Sequence, residues 1–222
     1  MVLIPINNYI EGVNRLVQFA KDNLSNLFNE WKVILINNNS DDLTSKKLKD
    51  FSNDKNFIYV EQRVPKNLKL NFDLGIKVGN AYMNPTIISI WETDAIPNIE
   101  TFKSLLTVFV EERKNNIASV SPMYKWKGNY CYPTHSHWHT DPIYKKHNVF
   151  GEITKVHAIP FIFSVWNPLH ISRINSSETK DFCEFLQLCR DFGKLLSSEG
   201  KLHLRLKSFN IDHVDGGKKS RG

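Results

Sequence analysis

Two carboxylates one residue apart, Glu92 and Asp94, end the apolar run of "IISIWETDAIPN" (87 to 98), and Pro97 keeps the strand from continuing. Acids spaced this way at the end of a buried strand point to the same side. They can hold a hard divalent cation, which prefers carboxylate oxygens and keeps positions free for phosphate. Such a cation neutralises the charge that builds on a diphosphate as it leaves. The competing reading is a solvated strand end, where acids are common. Other groups able to do chemistry lie later in the chain. "DHVDGGKKSRG" (212 to 222) either folds over the same rim, so that His213 meets metal or diphosphate and Lys218, Lys219 and Arg221 meet phosphate oxygens, or is a frayed basic end. "THSHWHTD" sets His135, His137 and His139 at every second position, which suits a zinc site on an extended chain or a polar loop lining a groove.

Elements that could position these groups follow from periodicity. "VLIP" (2 to 5) is a short buried strand, and Ile10, Val13, Leu16, Val17, Ala20, Leu24, Leu27 and Phe28 then recur at helical spacing. "WKVILIN" (31 to 37) is a second strand, and Ser40 or Asp41 in "NNNSDD" caps the helix carrying Leu43, Leu48 and Phe51. "FIYVEQ" (57 to 62) is a third strand, followed by a helix with Phe72, Ile76, Gly79 and Ala81, the fourth strand "TIISIW" (86 to 91), and a helix from Ile99 through Phe109. This alternation predicts an α/β protein with a mostly parallel central sheet and helices on both faces, which binds ligands at the carboxyl ends of its strands. "PINN", "NNNSDD" and "ETD" all fall at such ends and would converge on one rim.

The second half is less regular. "IASVSPMY" (117 to 124) reads as a strand, 125–155 as a long polar and aromatic loop, and "VHAIPFIFSVW" (156 to 166) as a strand that Pro160 places at an edge or a start. Asn167 caps a helix with Pro168 at its first position, a further helix spans about 178–197, and Gly200 ends it. "KLHLRLKSF" alternates as a strand, and 210–222 reads as a flexible tail.

With 222 residues and 41% hydrophobic content the chain fits one domain, 1–222. No stretch approaches a membrane span and no leader pattern is present, and three cysteines without a CxxC pair fit a reducing cytoplasm. A net charge of +6 suits an anionic partner, but scattered lysines and the lack of nucleic-acid-binding motifs give no reason to expect nucleic acid.

The succession "VLIPINN", "VILINNNSDD", "NLKLNFDLGIKVGNA" and "IISIWETDAIPN" resembles the nucleotide-sugar-binding half of family-two glycosyltransferases of the GT-A fold, which is Rossmann-like. The resemblance covers 1–98 and makes 99–222 the acceptor-side half. It implies a nucleoside-diphosphate sugar donor with Mn or Mg. Asn7, Asn38, Ser40 and Asp41 then lie near the nucleoside; Pro5, Asn37, Asn71, Glu92 and Thr93 belong to the same donor site. Asp94 is the principal metal ligand, with Glu92 and His213 beside it. Asn37 stands where the family commonly has Asp, and Glu92 where the first Asp of its DxD stands. In the second half Asp191, Gly200 and His213 match, in order, the family's proton-accepting acid, a glycine turn and a histidine near a Gly-Ser tail. Leu188 and Cys189 replace the two acids the family shows shortly before that aspartate, so Glu184 is the second candidate base. Trp126, Tyr130, Tyr132 and Trp138 can stack on sugar rings or anchor their loop.

The expected function is a metal-dependent, inverting glycosyltransferase acting on a glycan, lipid or protein hydroxyl. Two alternatives stand beside it. A nucleotidyltransferase on a related fold would need a glycine-rich, Arg-containing loop after the first strand, where "IPINNYIEG" has only Gly12. A non-catalytic sugar-nucleotide-binding protein would fit Asn37 and the altered base motif.

Overall fold

The alternation expected of the first hundred residues is present element by element in the computed structural model, which describes residues 1–62, 68–126, 129–131, 143–176 and 185–214. In order come β1 (Val2–Ile6), α1 (Ile10–Leu27), β2 (Val33–Asn38), α2 (Asp42–Phe51), β3 (Phe57–Gln62), α3 (Leu68–Tyr82), β4 (Ile88–Trp91), the two-residue β5 (Ala95–Ile96) and α4 (Ile99–Glu111). The second half adds β6 (Ile117–Trp126), β7 (Asn129–Cys131), β8 (Ile143–His147), β9 (Gly151–Val156), β10 (Phe163–Trp166), α5 (Pro168–Ile171), α6 (Phe185–Ser198) and β11 (Leu202–His213).

One mixed sheet runs in the order β3-β2-β1-β4-β10-β6-β11-β9-β8, with β5 against β11 and β7 against β6. β3, β2, β1 and β4 are mutually parallel, as are β6 and β11; β10 runs antiparallel between β4 and β6, and β9 antiparallel between β11 and β8. The parallel strands are buried on both sides because side chains alternate between two cores. Ile4, Leu35 and Trp91 face α1, α2 and α4, whereas Leu3, Ile36 and Ile90 face α3 and α6. On the first face Trp91 stacks on Phe163 at 5.4 Å between centroids, and Phe102 meets both edge-on. Burying each of these rings contributes roughly 1.5–3 kcal/mol by removal from water.

Three expectations need correction. Segment 125–155 is no continuous loop: β7, β8 and β9 lie within it, and Gly151, at φ 67°, turns the β8–β9 hairpin in the left-handed region that glycine adopts without strain. The run 156–166 is not one edge strand either. β9 ends at Val156, the chain crosses through Pro160, and β10 then inserts at the middle of the sheet, where Val165 pairs with both Ser89 and Val120. Finally, residues 210–213 are not a loose tail. β11 resumes pairing with β6 after an irregularity between Leu206 and Asn210 and continues to His213. Asn167 caps α5 through Leu169 N at 3.0 Å, and Gly200 at φ 75° follows α6, as expected.

Candidate functional site

The turns after β1, β2 and β4 all leave the same end of the sheet, the β4 turn about two residues before the other two. β1 pairs with β2 as far as Ile6↔Asn37, but its ladder with β4 stops at Leu3↔Ile90, so the two strands part just before their carboxyl ends. Pro5 lies beyond that last β4 pair, where a missing N–H is tolerated. Amides then join the first two turns. Asn7 Nδ2 donates to Asn38 O at 2.8 Å, Asn8 N to Ser40 Oγ at 3.2 Å, and Asp41 N to Asn8 Oδ1 at 2.6 Å. Asn8 and Asn39 adopt φ of 54° and 56°, the left-handed conformation that asparagine tolerates better than most residues, which explains the recurrence of Asn in both loops. Asp41 rather than Ser40 caps α2, accepting from Thr44 N at 2.7 Å, and these hydrogen bonds hold its carboxyl below the usual range.

Asn37 is buried. Its Nδ2 donates to Ser45 Oγ at 2.9 Å and Tyr59 OH at 3.0 Å, and its Oδ1 accepts from Ser40 N at 3.0 Å, so both amide hydrogens are engaged in shaping the turn. Asn71 contrasts with it. The side chain is fully buried, and neither Oδ1 nor Nδ2 has a hydrogen-bond partner among the described residues. It lies one helical turn before Gly75, which packs so closely on Ile36 and Leu3 that a Cβ there would overlap Ile36. Because α3 runs back antiparallel to β1, Asn71 is displaced from that level toward the carboxyl rim. A buried amide left unmatched costs about 1–3 kcal/mol, so this is a group that a bound ligand or water would complete.

The turn with the two acids is fixed from several directions. Glu92 N donates to Ile162 O at 2.7 Å, and Ala95 N donates back to Glu92 O at 3.1 Å. Arg15 on α1 donates to Thr93 O (3.0 Å) and Ala95 O (3.3 Å), while Val214 N donates to Asp94 O at 2.8 Å. β11 pairs with β5 through His213↔Ala95, so the backbone of His213 lies beside the residue after Asp94; its side chain is outside the described residues. Although part of Glu92 reaches the surface, burial and then the neighbouring Asp94 raise its carboxyl well above the usual range. Behind it, burial pushes the Tyr124 phenol up, Arg205 opposes that rise and Glu92 adds to it, which puts the three within electrostatic reach. No three His, Cys, Asp or Glu side chains converge as a metal site among the described residues. The donor set still has the right chemistry: two carboxylates in one turn, with a histidine backbone held next to it, suit Mn or Mg.

Of the candidate bases only Asp191 lies among the described residues. Asp191, half-buried on α6, accepts from Gln187 Nε2 at 3.1 Å and from Arg190 Nε at 3.4 Å, along its own helix, with Leu188, Cys189 and Phe192 buried on the sheet side. Glu184, the three histidines of "THSHWHTD", Tyr132 and Trp138 fall outside the described residues, as do the side chains of Trp126 and Tyr130. Arg15 and Tyr124 were not singled out by sequence. The available signal for Arg15 was its position three residues after Gly12, on the face of α1 that meets the turn.

A mixed α/β sheet with polar turns joined at the carboxyl ends of β1, β2 and β4 defines a nucleotide-binding type of architecture. Residues 1–169 match the model of Glycosyl transferase family 2, and the chain belongs to that family. A search of curated protein sequences finds no match. Among solved structures it is similar to S. aureus TarS 1–349, with TM-score 0.62 and 13% identity over 96% of this chain and 59% of that one. The same protein in complex with UDP-GlcNAc gives TM-score 0.63 at 13% identity, covering 96% and 58%. GalNAc-T7 with UDP, GalNAc and Mn2+ gives 0.66 at 9% identity, covering 96% and 43%. At these identities the likeness is one of fold, which is GT-A. The chain spans 59% of the length of the TarS 1–349 structure. No helix among the described residues is long and apolar enough to cross a membrane.

Proposed function

We propose that the chain transfers a sugar from a nucleoside-diphosphate donor, a UDP-sugar by analogy with the ligands of its structural neighbours, to an acceptor hydroxyl with inversion. The observation that carries this reading is the joining of the Asp94 turn with the turns after β1 and β2 at one rim, through Arg15 of the intervening α1 and the Asn7 and Asn8 bonds. Asn7, Asn38, Ser40 and Asp41 border the nucleoside, Asn37 shapes their turn, and Pro5, Asn71 and Thr93 complete the donor pocket. Asp94, with Glu92 and His213, would hold Mn or Mg. Such a cation supplies positive charge against the leaving diphosphate.

The acceptor oxygen attacks the anomeric carbon as the bond from that carbon to the diphosphate oxygen breaks. Its proton passes to a carboxylate, assigned to Asp191 with Glu184 as the second candidate, and the diphosphate departs with the electron pair. The acceptor is a glycan, lipid or protein hydroxyl met by the second half of the chain. A cytoplasmic setting belongs to the same proposal, supported by three cysteines that form no CxxC pair.

Thermal shift against a panel of nucleotide sugars, with and without Mn2+, tests the reading. An upward shift that needs both ligand and metal, followed by release of nucleoside diphosphate, is expected. Pyrophosphate release would mark a nucleotidyltransferase, and binding without turnover a non-catalytic protein.

A further inference from the structure

Every backbone carbonyl from residue 92 to residue 95 is hydrogen-bonded, and one side chain accounts for two of them. Glu92 O accepts from Ala95 N and Asp94 O from Val214 N, whereas Thr93 O and Ala95 O both accept from Arg15, through Nη2 at 3.0 Å and Nε at 3.3 Å. The guanidinium therefore bridges the carbonyls of the two residues that flank Asp94. Its planar fork fixes their relative orientation in a way that a lysine ammonium, with a single nitrogen, cannot. Gly12 makes the approach possible. A Cβ at that position would overlap Thr93 O, so only glycine lets α1 come close enough for Arg15 to span the turn.

We propose that Arg15 is a positioning residue for the cation and diphosphate site: it holds the Asp94 turn from behind and sets the carboxylate that faces the ligand. This rests on the reading of Asp94 as a cation ligand. Groups that orient a metal ligand without touching the metal typically govern 10- to 100-fold in affinity. The arrangement is also two-sided, because Val214, next to His213, holds the carbonyl between the two that Arg15 holds.

Mn2+ binding followed by electron paramagnetic resonance in the presence of UDP tests this on wild type, Asp94→Asn, Arg15→Ala and Arg15→Lys. Arg15→Ala should weaken Mn2+ by about 10-fold or more. UDP affinity measured in EDTA should stay within about twofold, since Arg15 is not proposed to touch the nucleotide. Arg15→Lys should fall between the two, and it carries the comparison if Arg15→Ala does not fold. Wild-type Mn2+ affinity in the folded variant would overturn the proposal. If the wild type shows no Mn2+ binding that Asp94→Asn abolishes, the cation reading fails instead. Amide hydrogen exchange over residues 92–98 then reads the anchoring by itself: faster exchange in the Arg15 variants supports it, and unchanged exchange overturns it.

Discussion

The rim that carries Asp94 and the hairpin at the far edge of the sheet are held by different kinds of interaction. At the rim, backbone carbonyls and asparagine amides accept many of the bonds, as in Asn7 to Asn38 O and Arg15 to Thr93 O, with the Asp41 carboxylate confined to the α2 cap. At the edge, the β8–β9 hairpin is tied to α4 through carboxylates. Glu112, nearly fully buried, accepts from Lys145, from Asn115 Nδ2 at 2.7 Å and from Tyr144 OH at 2.9 Å, while Glu111 meets Lys145 at 3.6 Å and His147 Nε2 at 3.3 Å. His147 Nδ1 accepts from Val149 N and Phe150 N at 3.1 and 3.2 Å, so its ring proton lies on Nε2, toward Glu111. Bonds to uncharged acceptors are insensitive to pH, whereas bonds to a carboxylate weaken once acid protonates it. The carbonyl-held part of the rim should therefore keep its shape in acid that loosens the hairpin.

The sharpest break in that comparison is Asp94→Asn, which removes the charge proposed to hold the cation. Sugar-nucleotide turnover should fall by about 100-fold or more, with the melting temperature nearly unchanged. A large melting shift would make Asp94 structural.

Next in size is a pH effect centred on β11. His203 is fully buried, its Nδ1 lies 2.6 Å from Ser119 Oγ, and burial holds its imidazole down to about 4. Between about pH 6.5 and pH 4 the unfolded chain therefore takes up a proton that the folded one refuses. Stability is full above that window and is lost as pH falls through it, by on the order of 3 kcal/mol. Denaturant titrations at several pH values should show this slope in wild type and its loss in His203→Gln.

The smallest expected effect is Lys145→Ala, which leaves Glu112 without its charged partner and should cost about 2 kcal/mol. Donor affinity should stay within about twofold if the two regions are as independent as their bonding suggests. Burial pushes the Glu112 carboxyl up, but the hydrogen bonds from Lys145, Asn115 and Tyr144 more than offset this and leave it below 4.5. The wild-type contribution of this group is accordingly present above about pH 4.5 and lost as pH falls through its folded value. A difference between Lys145→Ala and wild type that persists undiminished under strong acid would contradict the assignment.

The same contrast explains what could be read in advance. β1 to α4 were legible because Leu3 and Ile4, or Ile36 and Trp91, fill two cores, and continuous apolar runs between helices have few other solutions. The hairpin was not. Its strands carry Lys145 and Glu152, whose partners are Glu111 and Glu112 at the end of α4 and Lys207 on β11, and no local periodicity reports such pairing. β10 was hidden because Val156, Ile159, Phe161 and Phe163 are all buried, whether in strand or in crossover, so the apolar run had no visible break. Of the site, the acids and asparagines stood out by residue type, whereas the left-handed backbone at Asn8 and Asn39 showed only in the structure. Arg15 did not, because its role depends on a helix meeting a turn far away in sequence, and on the missing side chain of Gly12.

The bond from Val214 N to Asp94 O has a temporal side. During synthesis the strands of the donor half emerge early and can pair with one another while β11 is still unmade. The turn at residues 92–95 gains its last backbone anchor only when that late strand docks, so in a partly made chain Glu92 and Asp94 sit on a turn that lacks it. Full ordering of this turn is in this way tied to completion of the sheet.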